Sequence, residues 1–338
     1  MTGLRIVVLD DYLDAVRASA DWTCLPGEVR TLKRHIADED ELVEELAEAD
    51  VVVATRERTA LGRTVLERLP RLRLLVTTAM YNARIDMETA AARGVLVCGT
   101  RGNKRSTAEL TWGLVIALLR DIPGQQQSLR DGGWQSTLGI GLEGKTLGLL
   151  GLGTTGAQVA RAAPAFGMDV VAWSANLTEE RAAACGARLV GKDELLATAD
   201  VVSIHLVLGE RNRGLIGARE LDLMRSSSYL VNTSRAAIVN TGALVAALHA
   251  GGLAGAALDV YDTEPLPPDA PVLSAPNTLL TPHIGFVTAE EYRLFYGDVV
   301  EDIAAWAAGA PVRVLNNPKT PAANAGTDTG GPYAIPAL

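Results

Sequence analysis

Acid, base and cation side chains of the kind that bind or transform a small molecule fall at four places in the second half of the chain: His205, Thr233-Ser234-Arg235, Asp259 with Glu264, and His283. Each stands at the carboxyl end of a short apolar run that reads as a β-strand, namely Val201–Leu206, Tyr229–Asn232, Ala256–Val260 and Thr278–Thr281. Ligands of open parallel sheets bind outside that edge, so four such coincidences point to one crevice more strongly than any single motif. A fifth feature indicates what the crevice holds. The run Leu147–Leu150 enters Gly151-x-Gly153-x-x-Gly156, a helical pattern follows with apolar Val159, Ala160, Ala163 and Phe166, and Val170–Trp173 closes a βαβ unit. In such a unit Gly151 allows a tight turn, Gly153 lets the backbone approach a pyrophosphate, and Gly156 lets helix and strand pack closely. The helix N-terminus then offers unpaired N–H groups to the phosphates, which makes a dinucleotide the expected ligand.

The elements that must position these groups alternate regularly. Over residues 4–100, candidate strands Arg5–Leu9, Val29–Leu32, Asp50–Ala54, Leu72–Thr77 and Val95–Cys98 are separated by helical patterns such as Glu39–Ala49 and Ile85–Arg93. Short apolar strands alternating with helices imply a parallel sheet covered on both faces. This half lacks the glycine pattern, so its role differs. Thr107–Arg120 predicts a long, very apolar helix, capped by Ser106 or Thr107 and buried at a domain or dimer interface. Residues 121–142, with Gly132-Gly133 and Trp134, read as a loop. Helices are then expected near Lys192–Ala197, Glu220–Met224 and Gly242–Ala250. A last one, Glu290–Ala308, carries apolar Leu294, Val299, Ile303 and Trp306 and should cross back onto the first domain. From Leu315 onward Asn, Pro, Gly, Ala and Thr dominate, which predicts a flexible tail over 316–338.

Composition narrows the class of partner. At 338 residues the prior is two domains, and 48% hydrophobic with 21% charged residues is the make-up of a soluble globular protein. A net charge of −9 argues against nucleic acid, whose phosphates need a clustered basic surface, but a few local cations still suffice for a small anion. Cys24, Cys98 and Cys185 are too few and too scattered for a metal site or disulfide framework, and read as free, mostly buried thiols in a reducing compartment. With no signal-peptide pattern at Met1 and no membrane-length apolar run, the expectation is a cytoplasmic protein with no membrane and no metal.

With Gly151-Leu-Gly153-Thr-Thr-Gly156, Asn232-Thr-Ser-Arg235, Asp259-Val-Tyr-Asp-Thr-Glu264-Pro and Thr281-Pro-His283-Ile-Gly285 in that order, the chain resembles the D-isomer-specific 2-hydroxyacid dehydrogenases over roughly residues 4–315. The resemblance implies an α/β fold of two doubly wound parallel-sheet domains. A Rossmann NAD-binding domain (102–286) would be inserted into a flavodoxin-like substrate domain (1–101 with 287–315). It implies hydride transfer between NAD, with NADP left open, and a small anionic 2-hydroxy or 2-keto acid. Carried over, His283 is the general acid/base, Glu264 its partner and Arg235 the substrate anchor. The residue types suit that chemistry, because an imidazolium donates a proton near neutral pH, a carboxylate orients it, and a planar guanidinium grips a carboxylate. The resemblance also places Gly151, Gly153, Thr154, Thr155 and Gly156 at the pyrophosphate, and Leu206, Val207 and Asn212 at the adenosine side with His205. Thr233, Ser234, Arg235, Asp259 and His283 fall near the nicotinamide. Ala79, Met80 and Tyr81, within Thr77–Asp86, match a loop whose N–H groups meet the substrate carboxylate, while His35 and His249 read as surface residues. A homodimer through the 107–120 helix is expected.

The chain departs from the family pattern in three places. Ser174, with Asn176 and Thr178, stands where NAD enzymes usually carry an acidic residue for the ribose hydroxyls, and the nearest arginine is Arg181. Ala79 and Ala236 replace usual glycines, at a cost of about 1 kcal/mol each if the backbone there is left-handed. Arg101-Gly-Asn-Lys104-Arg105 is basic where small or neutral residues are usual. The plain explanation is a solvated loop; the sharper one is that Lys104 or Arg105, with Arg101, meets a second acidic group on the substrate. Two other readings remain: oxidation of a phosphonate or other phosphorus oxyacid on the same scaffold, and an NADH-sensing binding protein or co-repressor without turnover. Glu264 disfavours a formate-type relative, which carries an amide at that place.

Overall fold

Val-, Ile- and Leu-rich runs without polar alternation can be satisfied only by strands covered on both faces, and that is how they are used. The structure, a computed structural model, describes residues 3–103, 105–316 and 318. It falls into two units, one holding the chain up to Gly102 together with residues from Thr288 on, the other Asn103–Val287. Lys104, and the expected tail from residue 319 onward, lie outside the described residues.

In the first unit β1 (Leu4–Val8), β2 (Gly27–Thr31), β3 (Val51–Ala54), β4 (Leu74–Thr77) and β5 (Leu96–Gly99) form a parallel sheet in the order β2-β1-β3-β4-β5. Helix Glu39–Leu46, capped by Asp38, presents Leu42, Val43 and Leu46 to a core shared with Val52, Leu61, Leu66 and Leu75. The last helix, Ala289–Ala307, falls in this unit, and its buried apolar stripe is Tyr292, Phe295, Tyr296, Val299 and Ile303. Leu294 and Trp306, expected inside, are only half-buried, because the three aromatics fill the face against the sheet. Tyr296, fully buried, bonds Thr55 Oγ1 at 3.1 Å.

The second unit carries β6 (Thr146–Leu150), β7 (Asp169–Trp173), β8 (Arg188–Leu189), β9 (Val201–Ile204), β10 (Tyr229–Asn232), β11 (Gly255–Leu258) and β12 (Thr278–Leu280), all parallel, in the order β12-β11-β10-β9-β6-β7-β8. Strand order reverses between β6 and β9, the switch point at which such sheets bind ligands. One core face is built on Leu150, Leu195, Val202 and Leu230, the other on Leu147, Leu149, Val159 and Val231.

Two expectations change here. The long apolar helix runs Arg105–Leu119, so Ser106 and Thr107 lie inside its first turn rather than capping it. It buries one face through Ala108, Thr111, Trp112, Val115 and Leu119, while Leu110, Ile116 and Ala117 stay half-exposed. The segment read as a loop contains helix Ile122–Arg130, which buries no residue. It is set by its start: Asp121, in a left-handed conformation, accepts the Gly124 N–H at 3.2 Å, and Pro123 suits a first turn.

Candidate active site

Gly151 leaves β6 with φ +100, a region closed to most side chains, and a Cβ on it would lie 2.8 Å from the His205 carbonyl at the end of β9. At Gly156 a Cβ would lie 2.2 Å from the Gly151 oxygen, so helix Thr154–Ala162 could not reach the strand with any larger residue there. Gly153 differs: nothing lies within 4 Å of its would-be Cβ, and it precedes the helix with no side chain capping the first N–H groups. Two glycines needed for packing and one facing open space are what a pyrophosphate cradle requires, with Thr154 and Thr155 in the first turn, so the turn fits a dinucleotide.

Around this turn, Leu206 is buried, Val207 exposed, and Asn212 donates to the Val207 carbonyl at 2.8 Å. His205 Nε2 lies 2.9 Å from Ser203 Oγ, and burial pushes the ring down to about 4, so it is uncharged at neutral pH. Ser174 follows β7, half-buried, and Arg181 donates to the Asn176 carbonyl at 3.2 Å.

His283 and Glu264 meet: Nδ1 lies 2.6 Å from Glu264 Oε2, while Oε1 accepts the Tyr261 N–H at 2.9 Å. Burial alone would raise the Glu264 carboxyl. The His283 hydrogen bond and charge, the Tyr261 N–H and the nearby charge of Arg235 outweigh it and hold the group below the usual carboxylate range. Arg235 is half-buried; its guanidinium donates to the Ser234 carbonyl at 2.8 Å and its own carbonyl accepts from Asn232 Nδ2 at 3.1 Å. His283, with φ 52, has a left-handed backbone.

That backbone is pinned by Asp259, which is 1% exposed. Its Oδ1 accepts from Thr281 Oγ1 at 2.6 Å and from the Ile284 N–H at 2.8 Å, and Oδ2 accepts from the Gly285 N–H at 2.8 Å. Burial pushes the Asp259 carboxyl up, against these donors and the charge of His283. Helix Arg105–Leu119 props the same loops, since Thr107 Oγ1 donates to the Gly285 carbonyl at 3.0 Å and Thr111 Oγ1 lies 2.9 Å from Thr233 Oγ1. Ser234 Oγ donates to the Leu206 carbonyl. Thr111, Tyr261 and Thr281 are not singled out by the sequence: Tyr261 and Thr281 stand inside the quoted motifs, and Thr281 and Thr111 meet partners 22 and 122 residues away.

In the first unit, Ala79, Met80 and Tyr81 follow β4, with Met80 and Tyr81 53% and 70% exposed. Neither Ala79 nor Ala236 is left-handed, so the penalty expected for replacing glycine does not arise. The Ala79 N–H donates to the Thr77 carbonyl at 2.7 Å. In the basic stretch Arg101 is paired with Asp298 through Nε at 3.0 Å and its terminal nitrogen at 2.6 Å, and Arg105 is exposed. His249 is exposed as expected. His35 is not a surface residue but half-buried, 3.1 Å from the buried Asp10. All three cysteines are free, yet only Cys98 is buried, with its thiol pushed up to about 12; Cys24 is exposed and Cys185 half-buried. Among the described residues no cluster suits a metal and no helix is long and apolar enough to cross a membrane.

Residues 112–285 match the family described as D-isomer specific 2-hydroxyacid dehydrogenase, NAD binding domain. A D-3-phosphoglycerate dehydrogenase of Archaeoglobus fulgidus is 36% identical over 277 residues, covering 81% of this chain and 52% of the relative. The chain thus spans about half the length of that relative. A glyoxylate reductase of Aeropyrum pernix is 39% identical over 263 residues, 75% of this chain and 78% of its own. Among solved structures, a phosphoglycerate oxidoreductase from Vibrio cholerae superposes with a TM-score of 0.87 at 36% identity, covering 91% of this chain and all of that one.

Proposed function

The chain belongs to the D-isomer-specific 2-hydroxyacid dehydrogenase family, and from that premise we propose that it reduces a small 2-keto acid, or oxidises the 2-hydroxy acid, with His283 as general acid/base. The observation that carries the reading is the 2.6 Å pairing of His283 with Glu264 at the carboxyl edge of the sheet whose β6 leads into the glycine turn. NAD(H), held by Gly151, Gly153, Thr154, Thr155 and Gly156 and flanked by Ser174, Leu206, Val207 and Asn212, supplies or accepts the hydride when bound. With Nδ1 committed to Glu264, Nε2 is the nitrogen that gives a proton to the keto oxygen or takes it from the hydroxyl. Glu264, ionised at neutral pH, fixes the ring's orientation. Arg235 binds the acid's carboxylate through its planar fork, and Thr233, Ser234 and Asp259 frame the nicotinamide side. In the first unit, the Ala79–Tyr81 loop is read as substrate-binding.

The relatives' names divide between phosphoglycerate and glyoxylate, so the test is a panel. Protein mixed with NADH, then NADPH, is offered glyoxylate, pyruvate, hydroxypyruvate and phosphohydroxypyruvate, and absorbance at the reduced nicotinamide band is followed. Turnover of at least one acid is expected, with NADH preferred; no turnover of any acid with either cofactor contradicts the reading. We further place the protein in the cytoplasm as a homodimer. Exposed Ile122, Leu129, Trp134 and Leu138, beside the half-exposed face of Arg105–Leu119, support a second copy as the cover. Light scattering giving a monomer mass would contradict the dimer, and cell fractionation tests the location.

A further inference from the structure

The Thr77–Tyr81 loop rests on the segment that follows β5. The Thr77 carbonyl accepts the Thr100 N–H at 3.1 Å as well as the Ala79 N–H. Gly99 lies directly under the turn: a Cβ there would stand 2.4 Å from the Ala79 oxygen and 3.2 Å from Met80 Cα. The next residue but one, Arg101, is fixed from the other side. Asp298, 2% exposed on helix Ala289–Ala307, accepts the Arg101 backbone N–H at 2.8 Å and its guanidinium at 3.0 and 2.6 Å. Arg313 closes the arrangement, donating to the Asp298 carbonyl at 2.9 Å and to Asp302 at 3.0 Å, while its own carbonyl accepts the Gly99 N–H at 3.0 Å. Burial would raise the Asp298 carboxyl, but the Arg101 donors and the charge of Arg313 hold it below the usual range, so it is ionised at neutral pH. Keeping a buried carboxylate charged is expensive unless its partners are well placed; here Arg101 gives it three hydrogen bonds and Arg313 adds an ion pair at 3.9 Å.

We propose that Asp298 is a positioning residue for the acid substrate: through Arg101, Thr100 and Gly99 it sets the backbone of the Thr77–Tyr81 loop. The inference rests on the reading of that loop as substrate-binding. The described partners of the Asp298 side chain, Arg101 and Arg313, lie in its own unit, so its effect is expected on the loop and the KM for the acid rather than on dinucleotide affinity. Arg101 serves the same end.

The test uses the full chain with Asp298→Asn and Arg101→Ala, read by amide exchange of the 77–81 backbone, the KM for whichever 2-keto acid is turned over, and NADH affinity. Asp298→Asn should speed exchange at 77–81 and raise KM, each about tenfold, with NADH affinity unchanged. Arg101→Ala keeps the backbone bond to Asp298 and should give about a threefold change in both. The Arg101 side chain is 66% exposed, so this second variant folds even if the first does not. Unchanged exchange in folded variants would overturn the proposal. Faster exchange with an unchanged KM would overturn the loop's substrate role. Exchange needs no turnover, so an inactive wild-type protein would sink the functional reading without touching the positioning measurement.

Discussion

Two loops at strand ends, Thr281–Gly285 after β12 and Thr77–Asn82 after β4, are held by opposite means. The first is fastened by carboxylates: Asp259 takes three donors from it and Glu264 takes the His283 ring. The second is held around its rim mostly by neutral groups, with the Arg56 guanidinium donating to the Thr78 carbonyl at 3.4 Å. Thr78 Oγ1 accepts the Arg56 N–H at 2.8 Å, and Asn82 Nδ2 donates to the Arg56 carbonyl at 2.7 Å and to Thr77 Oγ1 at 2.9 Å. The difference follows from what each loop presents. A left-handed backbone at a residue other than glycine costs roughly 1–2 kcal/mol, and at His283 it aims a group whose position decides a proton transfer, so charge-assisted bonds are used. A loop offering backbone N–H groups and exposed Met80 and Tyr81 can rely on neutral bonds worth about 0.5–1.5 kcal/mol each.

If that contrast is right, damage to the first loop lowers kcat and damage to the second raises KM. The largest effect in the supporting residues is expected for Asp259→Ala, which frees the backbone around His283: kcat should fall about 100-fold in steady-state assays while circular dichroism shows the fold retained. A loss under twofold would mean the three bonds do not position the imidazole. Next is Glu264→Gln, with kcat for keto-acid reduction down about tenfold at neutral pH. The Glu264 carboxyl sits below its ordinary range when folded, so its pairing is complete above that range and is lost only as pH falls through the depressed value. Removing the charge therefore acts wherever Glu264 is ionised in the native protein, so the deficit should persist at neutral and alkaline pH and narrow only as pH falls through the depressed Glu264 value; a deficit absent at neutral pH would contradict the pairing role. The smallest effect is expected for Asn82→Ala, about a threefold rise in KM at constant kcat, measured over a full substrate titration. A fall in kcat instead would erase the distinction between the loops.

How much of this was legible in the sequence follows the range of the forces involved. Strands such as β3 and β4 were readable because every residue in them is buried and nearly all are apolar. The glycine turn was readable because each glycine answers a steric demand typical of such βαβ units. Helix Ile122–Arg130 was not, since Pro123, Gly124 and three consecutive glutamines show no apolar period and its start depends on one cap. The types and order of Arg235, Glu264 and His283 could be read from motifs. What fastens them could not: Asp259 reaches partners 22 to 26 residues away, and Asp298 reaches Arg101 across 197. Such anchors show only when the chain is folded.

The proposed chemistry turns on His283 transferring the proton. The direct measurement is turnover of the best acid by His283→Ala alongside NADH binding followed by nicotinamide fluorescence. The expected result is kcat reduced by about 1,000-fold or more with NADH affinity within a factor of about three; near-normal turnover would contradict it.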